Sequence, residues 1–174
     1  EQYDVQPDMM TMAKGIANGL PLGAVITSSE IADSLVKNSI STFGGNPVSC
    51  AAANATINII QRDNLADNCE NMGKVLRLGL EQLQIKYPKI IGDVRGMGLM
   101  QALELVVDET KNDRTPNAEA ATVLMEETKK RGLLIGRGGL HGNILRISPA
   151  MNISKSDVEN ALEKLTDAFQ AMNQ

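Results

Sequence analysis

Residues 9–23 read MMTMAKGIANGLPLG, and this stretch decides how the chain is built. The apolar run at residues 9–13 predicts a buried strand. The glycines and proline after Lys14 predict a tight loop, because glycine adopts backbone conformations that other residues avoid. Residues 24–27 then favour a second strand. We therefore expect Lys14 to lie where a buried strand runs into a glycine-rich loop.

Helix signals follow these two strands. Ser28 or Ser29 can cap a short helix through residue 36, because a serine hydroxyl accepts a hydrogen bond from a first-turn amide. Pro47 suits the first turn of a further helix, and the alanine-rich run 50–60 contains strong helix formers that continue it. The first third of the chain is therefore predicted to contain two short strands and two helices.

A long helix is predicted from Leu65 to just before Pro88, because its apolar residues recur every three or four positions. Further along we expect a mostly buried strand at 99–107 with Val107 on its inner face, a polar loop at 108–115, a helix at 117–130, a hairpin of strands at 133–136 and 143–148, and a last helix capped by Ser154 with Asp157. This order is typical of α/β or α+β proteins. We place a domain boundary at the start of the long helix.

Composition excludes several classes of function. The 17 basic and 21 acidic residues give a net charge of −4, so nucleic acid is a poor candidate for a partner. The longest apolar stretches fall far short of the roughly 20 residues that cross a bilayer. Two cysteines, Cys50 and Cys69, give neither a disulfide framework nor a metal site. Because Glu1 is followed almost at once by a strand-like run, we also expect the chain to start at a cut in a longer protein.

Lys14 is the first candidate for chemistry. A lysine among apolar and small residues can lose its proton, because burial disfavours the ammonium, and the free amine is a nucleophile that forms imines. Most lysines, however, are solvated surface groups, and glycine-rich turns form without any ligand. The local pattern alone therefore leaves a surface lysine open as the alternative.

Three segments resemble one family. Residues 7–25, which contain Lys14, resemble the lysine motif of the class III pyridoxal-phosphate-dependent aminotransferases, which have fold type I. Ser41-Thr42-Phe43-Gly44-Gly45-Asn46-Pro47 is similar to the second cofactor motif of that family, at the expected distance downstream. Residues 132–149 resemble its C-terminal substrate segment, most of all in the alanine:glyoxylate branch. The resemblance covers essentially the whole chain.

The resemblance implies roles for three residues. Lys14 would form the imine with the aldehyde of pyridoxal 5'-phosphate and then move the proton at the substrate Cα. Thr42 would bind the cofactor phosphate of the neighbouring subunit, which implies a homodimer, and Arg146 would bind the substrate α-carboxylate. Without the family, a loop threonine bonded to its own backbone and an exposed strand arginine are the plainer interpretations. We interpret His141 as a surface residue and Arg95 as structural, whereas Arg137 is either a specificity residue or a solvated turn arginine.

The resemblance also implies an α/β fold in two parts. Residues 1–62 would be the C-terminal end of the pyridoxal-phosphate-binding large domain, and residues 63–174 the small C-terminal domain. The family's phosphate loop, stacking aromatic residue and ring-nitrogen aspartate all lie upstream of the lysine motif, so we expect this fragment alone to be inactive. The implied reaction moves an amino group from an amino acid such as alanine to an oxo acid such as glyoxylate or pyruvate, in mitochondria or cytoplasm. Transamination of ω-amino acids or ornithine-like amines, and a non-catalytic interaction module, stay open as alternatives.

Overall fold

The computed structural model describes residues 3–172. The chain divides into two compact units, one that ends at Asp63 and one that begins at Asn64. The predicted boundary after residue 62 falls beside this division. That the units are the end of a large domain and a small domain stays a prediction.

The first unit is built on a two-stranded antiparallel ribbon. Strand β1, Met9–Met12, pairs with β2, Ala24–Thr27. A 3₁₀ turn at Lys14–Ala17, helix α1 at Ser29–Asp33 and helix α2 at Pro47–Arg62 complete the unit. The two strands and two helices agree with the sequence prediction, although α1 ends three residues before the predicted residue 36.

The caps of these helices have simple side-chain chemistry. The Ser28 hydroxyl accepts a hydrogen bond from the amide of Ile31 at 3.4 Å, and this contact begins α1. The Asn46 side chain accepts from the amide of Ser49 at 3.0 Å, directly before Pro47. Each cap satisfies an amide that the first helical turn leaves without a backbone partner.

The prediction of a buried first strand is wrong for this chain. Met9 and Met10 are 54% and 50% exposed, and Val25 and Ile26 on β2 are exposed as well. A ribbon of two strands offers too little surface to be covered on both faces, so its apolar side chains stay in contact with solvent. The apolar run therefore identified the strand correctly but not its burial.

The second unit contains four of the seven helices and 3₁₀ segments in the described range and most of the strands. Its elements are α3 (Leu65–Lys86), β3 (Ile91–Met97), β4 (Met100–Asp108), a 3₁₀ turn (Glu109–Lys111), β5 (Asp113–Pro116), α4 (Ala118–Lys130), β6 (Gly136–Gly138), β7 (Ile144–Ile147) and α5 (Lys155–Met172). The strands form one antiparallel sheet in the order β3-β4-β7-β6, with β5 added along β4. The α/β fold class is confirmed.

The core of this unit lies between the sheet and its helices. Alternate residues of β4, including Leu103 and Leu105, are fully buried and face the same side as Leu145 of β7. Leu80 of α3 and Phe169 of α5 are fully buried in the same cluster. Burial of each such side chain contributes about 1.5–3 kcal/mol. The opposite face of the sheet carries the other parity of each strand, which includes Arg146.

Three details of the second unit differ from the sequence prediction. Strand β3 was missed, because its glycines and charged residues favour a loop over a strand. Val107, predicted to face inward, is 43% exposed, whereas its neighbours Val106 and Asp108 are buried, so the alternation of buried residues along β4 changes phase after Leu105. The polar loop contains β5, and the strand predicted at 133–136 forms at Gly136–Gly138, where it does make the expected hairpin with β7.

Alanine variants at two glycines of α3, Gly73 and Gly79, are expected to differ in stability, because an added Cβ would meet different atoms at the two positions. A Cβ at Gly73 would lie 2.3 Å from the backbone carbon of Gly98, whereas a Cβ at Gly79 would meet only the side chain of Leu162, also at 2.3 Å. Backbone cannot move aside as a side chain can, so Gly73→Ala is expected to destabilise the fold by about 2–3 kcal/mol. Gly79→Ala should cost less than about 1 kcal/mol, because the gain in helix propensity offsets the shift of Leu162. Urea unfolding of both variants checks this, and equal losses would contradict it.

Candidate active site

Lys14 follows β1 directly and opens the 3₁₀ turn Lys14–Ala17. Its backbone is left-handed, with φ of +56°, and so is that of Asn18, with φ of +45°. The Asn18 amide donates a hydrogen bond to the carbonyl of Gly15 at 3.1 Å, which closes the turn. Ala17 is only 2% exposed and fixes the turn to the unit. The lysine is therefore held by a defined turn.

The side chain of Lys14 is exposed, so the prediction of a buried lysine is wrong for this chain. The ribbon beside it is itself exposed and cannot shelter the amine. Within residues 3–172 the Lys14 ammonium has no hydrogen-bond or ion-pair partner. It lines a shallow surface pocket together with Asn18, Gly19 and Pro21. The amine is therefore accessible to a ligand.

The left-handed backbone of Lys14 is expected to lower the stability of the fold. A residue with a Cβ in this conformation costs roughly 1–2 kcal/mol, which glycine does not incur. We therefore expect Lys14→Gly to be more stable than Lys14→Ala by about 1 kcal/mol, although both variants lack the amine. Thermal unfolding of the two variants measures the difference. If the alanine variant were equally stable, the lysine backbone would carry no strain.

Thr42 lies in an exposed turn that leads into α2. The Gly44 amide donates to the carbonyl of Ser41 at 3.2 Å, and a Cβ at Gly44 would lie 2.9 Å from the Ser41 side chain, so this turn requires glycine there. The Asn46 side chain donates to the carbonyl of Phe43 at 3.1 Å and ties the turn to the helix. In the described part of the chain the Thr42 hydroxyl makes no hydrogen bond. The backbone and Asn46 contacts order the loop, and the Thr42 hydroxyl stays accessible.

Arg146 lies on β7, as the sequence predicts, between Ala102 of β4 and Gly136 of β6. Its side chain is exposed and, by strand register, lies on the sheet face opposite the core. The residue also borders a surface cavity whose lining includes Ile135, Ile147 and Pro149. The small neighbours leave space, since a Cβ at Gly136 would still be 3.8 Å from the Arg146 guanidinium. The arginine is thus held by an interior strand of the sheet, and its side chain is exposed to solvent.

Arg146 also differs from the other arginines of the chain. The chain has seven arginines, all of them in the described range. Six donate to a side chain or carbonyl: Arg62, Arg77, Arg95, Arg114, Arg131 and Arg137. For Arg146 no such partner occurs among residues 3–172. A planar guanidinium with all its donors unused is suited to bind a carboxylate through two parallel hydrogen bonds.

The remaining candidates have simpler settings. His141 is exposed in the turn before β7, as predicted. Arg137 donates a hydrogen bond to the hydroxyl of Thr122 on α4, so it is not a solvated turn arginine without a partner. Arg95 binds the carboxylates of Asp93 and Glu104, each at 2.6 Å, and these contacts raise its pKa above the ordinary value. Sequence reasoning missed this cluster because it missed β3, although the Asp-x-Arg spacing suits neighbours on one strand face.

Lys14 and Thr42 lie in the first unit, and Arg146 lies in the second. No helix in the described range is both long and apolar enough to span a membrane. Between residues 3 and 172 there is also no group of three or more histidine, cysteine or acidic side chains that could hold a metal ion. The candidate functional groups are therefore the Lys14 amine, the Thr42 hydroxyl and the Arg146 guanidinium.

Comparison with known proteins places these groups in a family. Residues 1–169 match the class III aminotransferases. The chain is 43% identical to the mitochondrial alanine–glyoxylate aminotransferase 2 homolog 2 of Arabidopsis thaliana, over 99% of this chain and 36% of that protein. It is 36% identical to a 5-aminovalerate aminotransferase of Pseudomonas putida, over 97% of this chain and 39% of that protein.

A solved structure agrees with the sequence relatives. An S-selective transaminase from Arthrobacter sp. with alanine bound superposes with a TM-score of 0.87 at 34% identity, over 98% of this chain and 39% of that chain. The chain thus spans less than two fifths of the proteins it matches here. Since the family match covers nearly all of its residues, the chain belongs to the class III aminotransferase family.

Proposed function

We propose that the chain is the C-terminal part of a pyridoxal-phosphate-dependent transaminase that moves an amino group from an amino acid, alanine in the first place, to an oxo acid such as glyoxylate. The observation that carries the proposal is Lys14: an accessible, unpartnered amine on a strained turn at the end of a strand. Strained backbone is concentrated at functional sites, where the surrounding structure maintains it. The similarity to an alanine–glyoxylate aminotransferase supports the choice of substrates.

The three unpartnered polar groups fit the cofactor and an amino acid chemically. An amine matches an aldehyde, a hydroxyl on a glycine-containing turn matches a phosphate, and an arginine fork matches an α-carboxylate. Lys14 would hold the cofactor covalently at its aldehyde carbon. Thr42 would donate a hydrogen bond to the phosphate of the partner subunit's cofactor, so a homodimer is part of the proposal. When bound, the cofactor supplies an electron-withdrawing ring that stabilises negative charge at the substrate Cα.

Lys14 would have a second role as a proton carrier. The Lys14 amine would accept the proton from the substrate Cα and return it to a neighbouring carbon. In this chain the side chain of Lys14 is exposed to water. We therefore infer that residues outside this chain exclude water from the amine in the active protein.

The unit up to Asp63 would be the end of the cofactor-binding large domain, and the unit from Asn64 the small domain that carries the carboxylate-binding arginine. The chain alone would bind the cofactor weakly and would not turn over substrate, because the phosphate loop and the ring-nitrogen aspartate of the family lie outside it. A mitochondrial location is favoured over a cytoplasmic one by the mitochondrial relative.

A substrate panel on the full-length protein tests the proposal. We expect turnover with alanine as donor and glyoxylate as acceptor, and at least about tenfold lower kcat/KM with 5-aminovalerate or ornithine as donor. The reverse preference would assign the protein to the ω-amino acid transaminases, which the Pseudomonas relative represents. No turnover with any donor, in a protein that folds and dimerises, would support a non-catalytic interaction module. The 174-residue chain serves as the inactive control.

A further inference from the structure

The sheet face opposite the core, here called the open face, carries Asp93, Arg95, Ala102, Glu104, Ile144 and Arg146. Arg95 of β3 is opposite Ala102 of β4, and Ala102 is opposite Arg146 of β7. The two arginines thus lie in one row across three strands, separated by a small side chain. Neighbouring strands are about 4.8 Å apart, so the two arginine Cα atoms are roughly 10 Å apart.

Glu104 lies on the same face, between the two arginines. It is two residues along β4 from Ala102 and is paired with Ile144, so it is diagonal to Arg95 on one side and to Arg146 on the other. Diagonal neighbours on a sheet are about 7–8 Å apart, a separation that long charged side chains bridge. Glu104 could therefore form an ion pair with either arginine.

The structure shows which arginine Glu104 binds. Its carboxylate lies 2.6 Å from the Arg95 guanidinium, and the Asp93 carboxylate binds the same nitrogen at 2.6 Å. Glu104 is 27% exposed, so water screens this pair only in part. Arg146, at the same diagonal offset, has no ion-pair partner in the described residues. Asp93 is one strand further away from Arg146, so Glu104 is the acidic group of the open face that is placed to compete for it.

We propose that Arg95 is a positioning residue that holds Glu104 away from Arg146, and so keeps the Arg146 guanidinium free for the substrate carboxylate. The inference rests on the proposed role of Arg146. An arginine already paired with an internal carboxylate would have to lose that pair before it bound substrate, and substrate affinity would fall accordingly. Arg95 removes this competition, and Asp93 fixes the orientation of Arg95.

Chemical labelling of the full-length protein, without cofactor, tests the proposal without turnover. Phenylglyoxal modifies arginines, and peptide mapping measures the rate at Arg146. In Arg95→Met the released Glu104 should pair with Arg146 and slow its modification about fivefold, as expected for an ion pair of about 1 kcal/mol. Arg95→Met combined with Glu104→Gln should restore the original rate. Arg114→Met, which removes a comparably exposed arginine paired with Glu109, should leave the rate unchanged.

Two outcomes would overturn the proposal. One is an unchanged rate at Arg146 in a folded Arg95→Met chain. The other comes from Glu104→Gln alone, a variant that is informative even if Arg95→Met fails to fold. That variant should leave Arg146 labelling as it is, and a faster rate would mean that Glu104 already pairs with Arg146.

Kinetics of the full-length protein separate this inference from the proposed function. Arg95→Met should raise KM for alanine about fivefold with little change in kcat, leave KM for the carboxylate-free donor 1-phenylethylamine unchanged, and be rescued by Glu104→Gln. If labelling behaves as expected but KM for alanine does not change, Arg95 positions Glu104 as proposed and the assignment of Arg146 to the substrate carboxylate is the part that fails. If KM for both donors rises equally, the effect is structural and the positioning role is excluded.

Discussion

The variant Lys14→Ala of the full-length protein is expected to lose at least about 10³-fold in kcat for alanine and glyoxylate. Lys14 is proposed both to hold the cofactor and to carry the proton, and loss of a nucleophile or a base lowers turnover by orders of magnitude. Steady-state kinetics with saturating cofactor measures the loss. Lys37→Ala is the matched control, because Lys37 is an exposed lysine of the same unit, and it should keep normal activity.

The size of the loss separates this role from indirect effects. Lys14→Ala keeps a Cβ on the left-handed backbone, so the turn keeps its conformational cost, and the exposed side chain beyond Cβ is removed together with its amine. A folded variant with more than about one tenth of the normal kcat would contradict the proposed role, because a missing nucleophile cannot be compensated by binding energy elsewhere.

The second large effect is expected at Arg146. Arg146→Met should lower kcat/KM for alanine about 10²- to 10³-fold, because truncating one partner of a hydrogen-bonded charge pair costs about 2–5 kcal/mol. The rate with 1-phenylethylamine, which has no carboxylate, should change less than about threefold. This contrast tests carboxylate binding and not stability, since unfolding would lower both rates.

A control for this variant is available in the same unit. Arg131→Met removes an arginine of similar size that is paired with Glu127 on α4. It should leave both substrates unaffected. Equal losses for alanine and 1-phenylethylamine in Arg146→Met would mean that Arg146 has a structural role in the sheet and does not bind the substrate carboxylate.

The helices were the most predictable part of the fold. Helix α3 follows from an apolar residue every three or four positions, and α5 from the Ser154 cap, whose hydroxyl does accept a hydrogen bond from the Asp157 amide at 3.2 Å. These signals are local, so the sequence contains them in full. Strand β3 has no comparable local signal, because its charged residues are placed by their partners across β4.

The residues of the candidate site could be predicted from the sequence, but the contacts that they make could not. Motif resemblance identified Lys14, Thr42 and Arg146, whereas the apolar run before Lys14 wrongly predicted a buried setting in this chain. Burial depends on what packs against a strand, and a short apolar run does not specify it. The pairing of Arg95 with Glu104 depends on strand register, which residue spacing within one strand cannot supply.

Borohydride reduction of the cofactor-loaded full-length protein tests the central claim most directly. The reagent fixes a covalent bond between lysine and cofactor, and peptide mapping then identifies the lysine. We predict that the pyridoxyl label is found on Lys14, and that it disappears from the same peptide in Lys14→Ala. Stoichiometric label on another lysine, with Lys14 unmodified, would contradict the account.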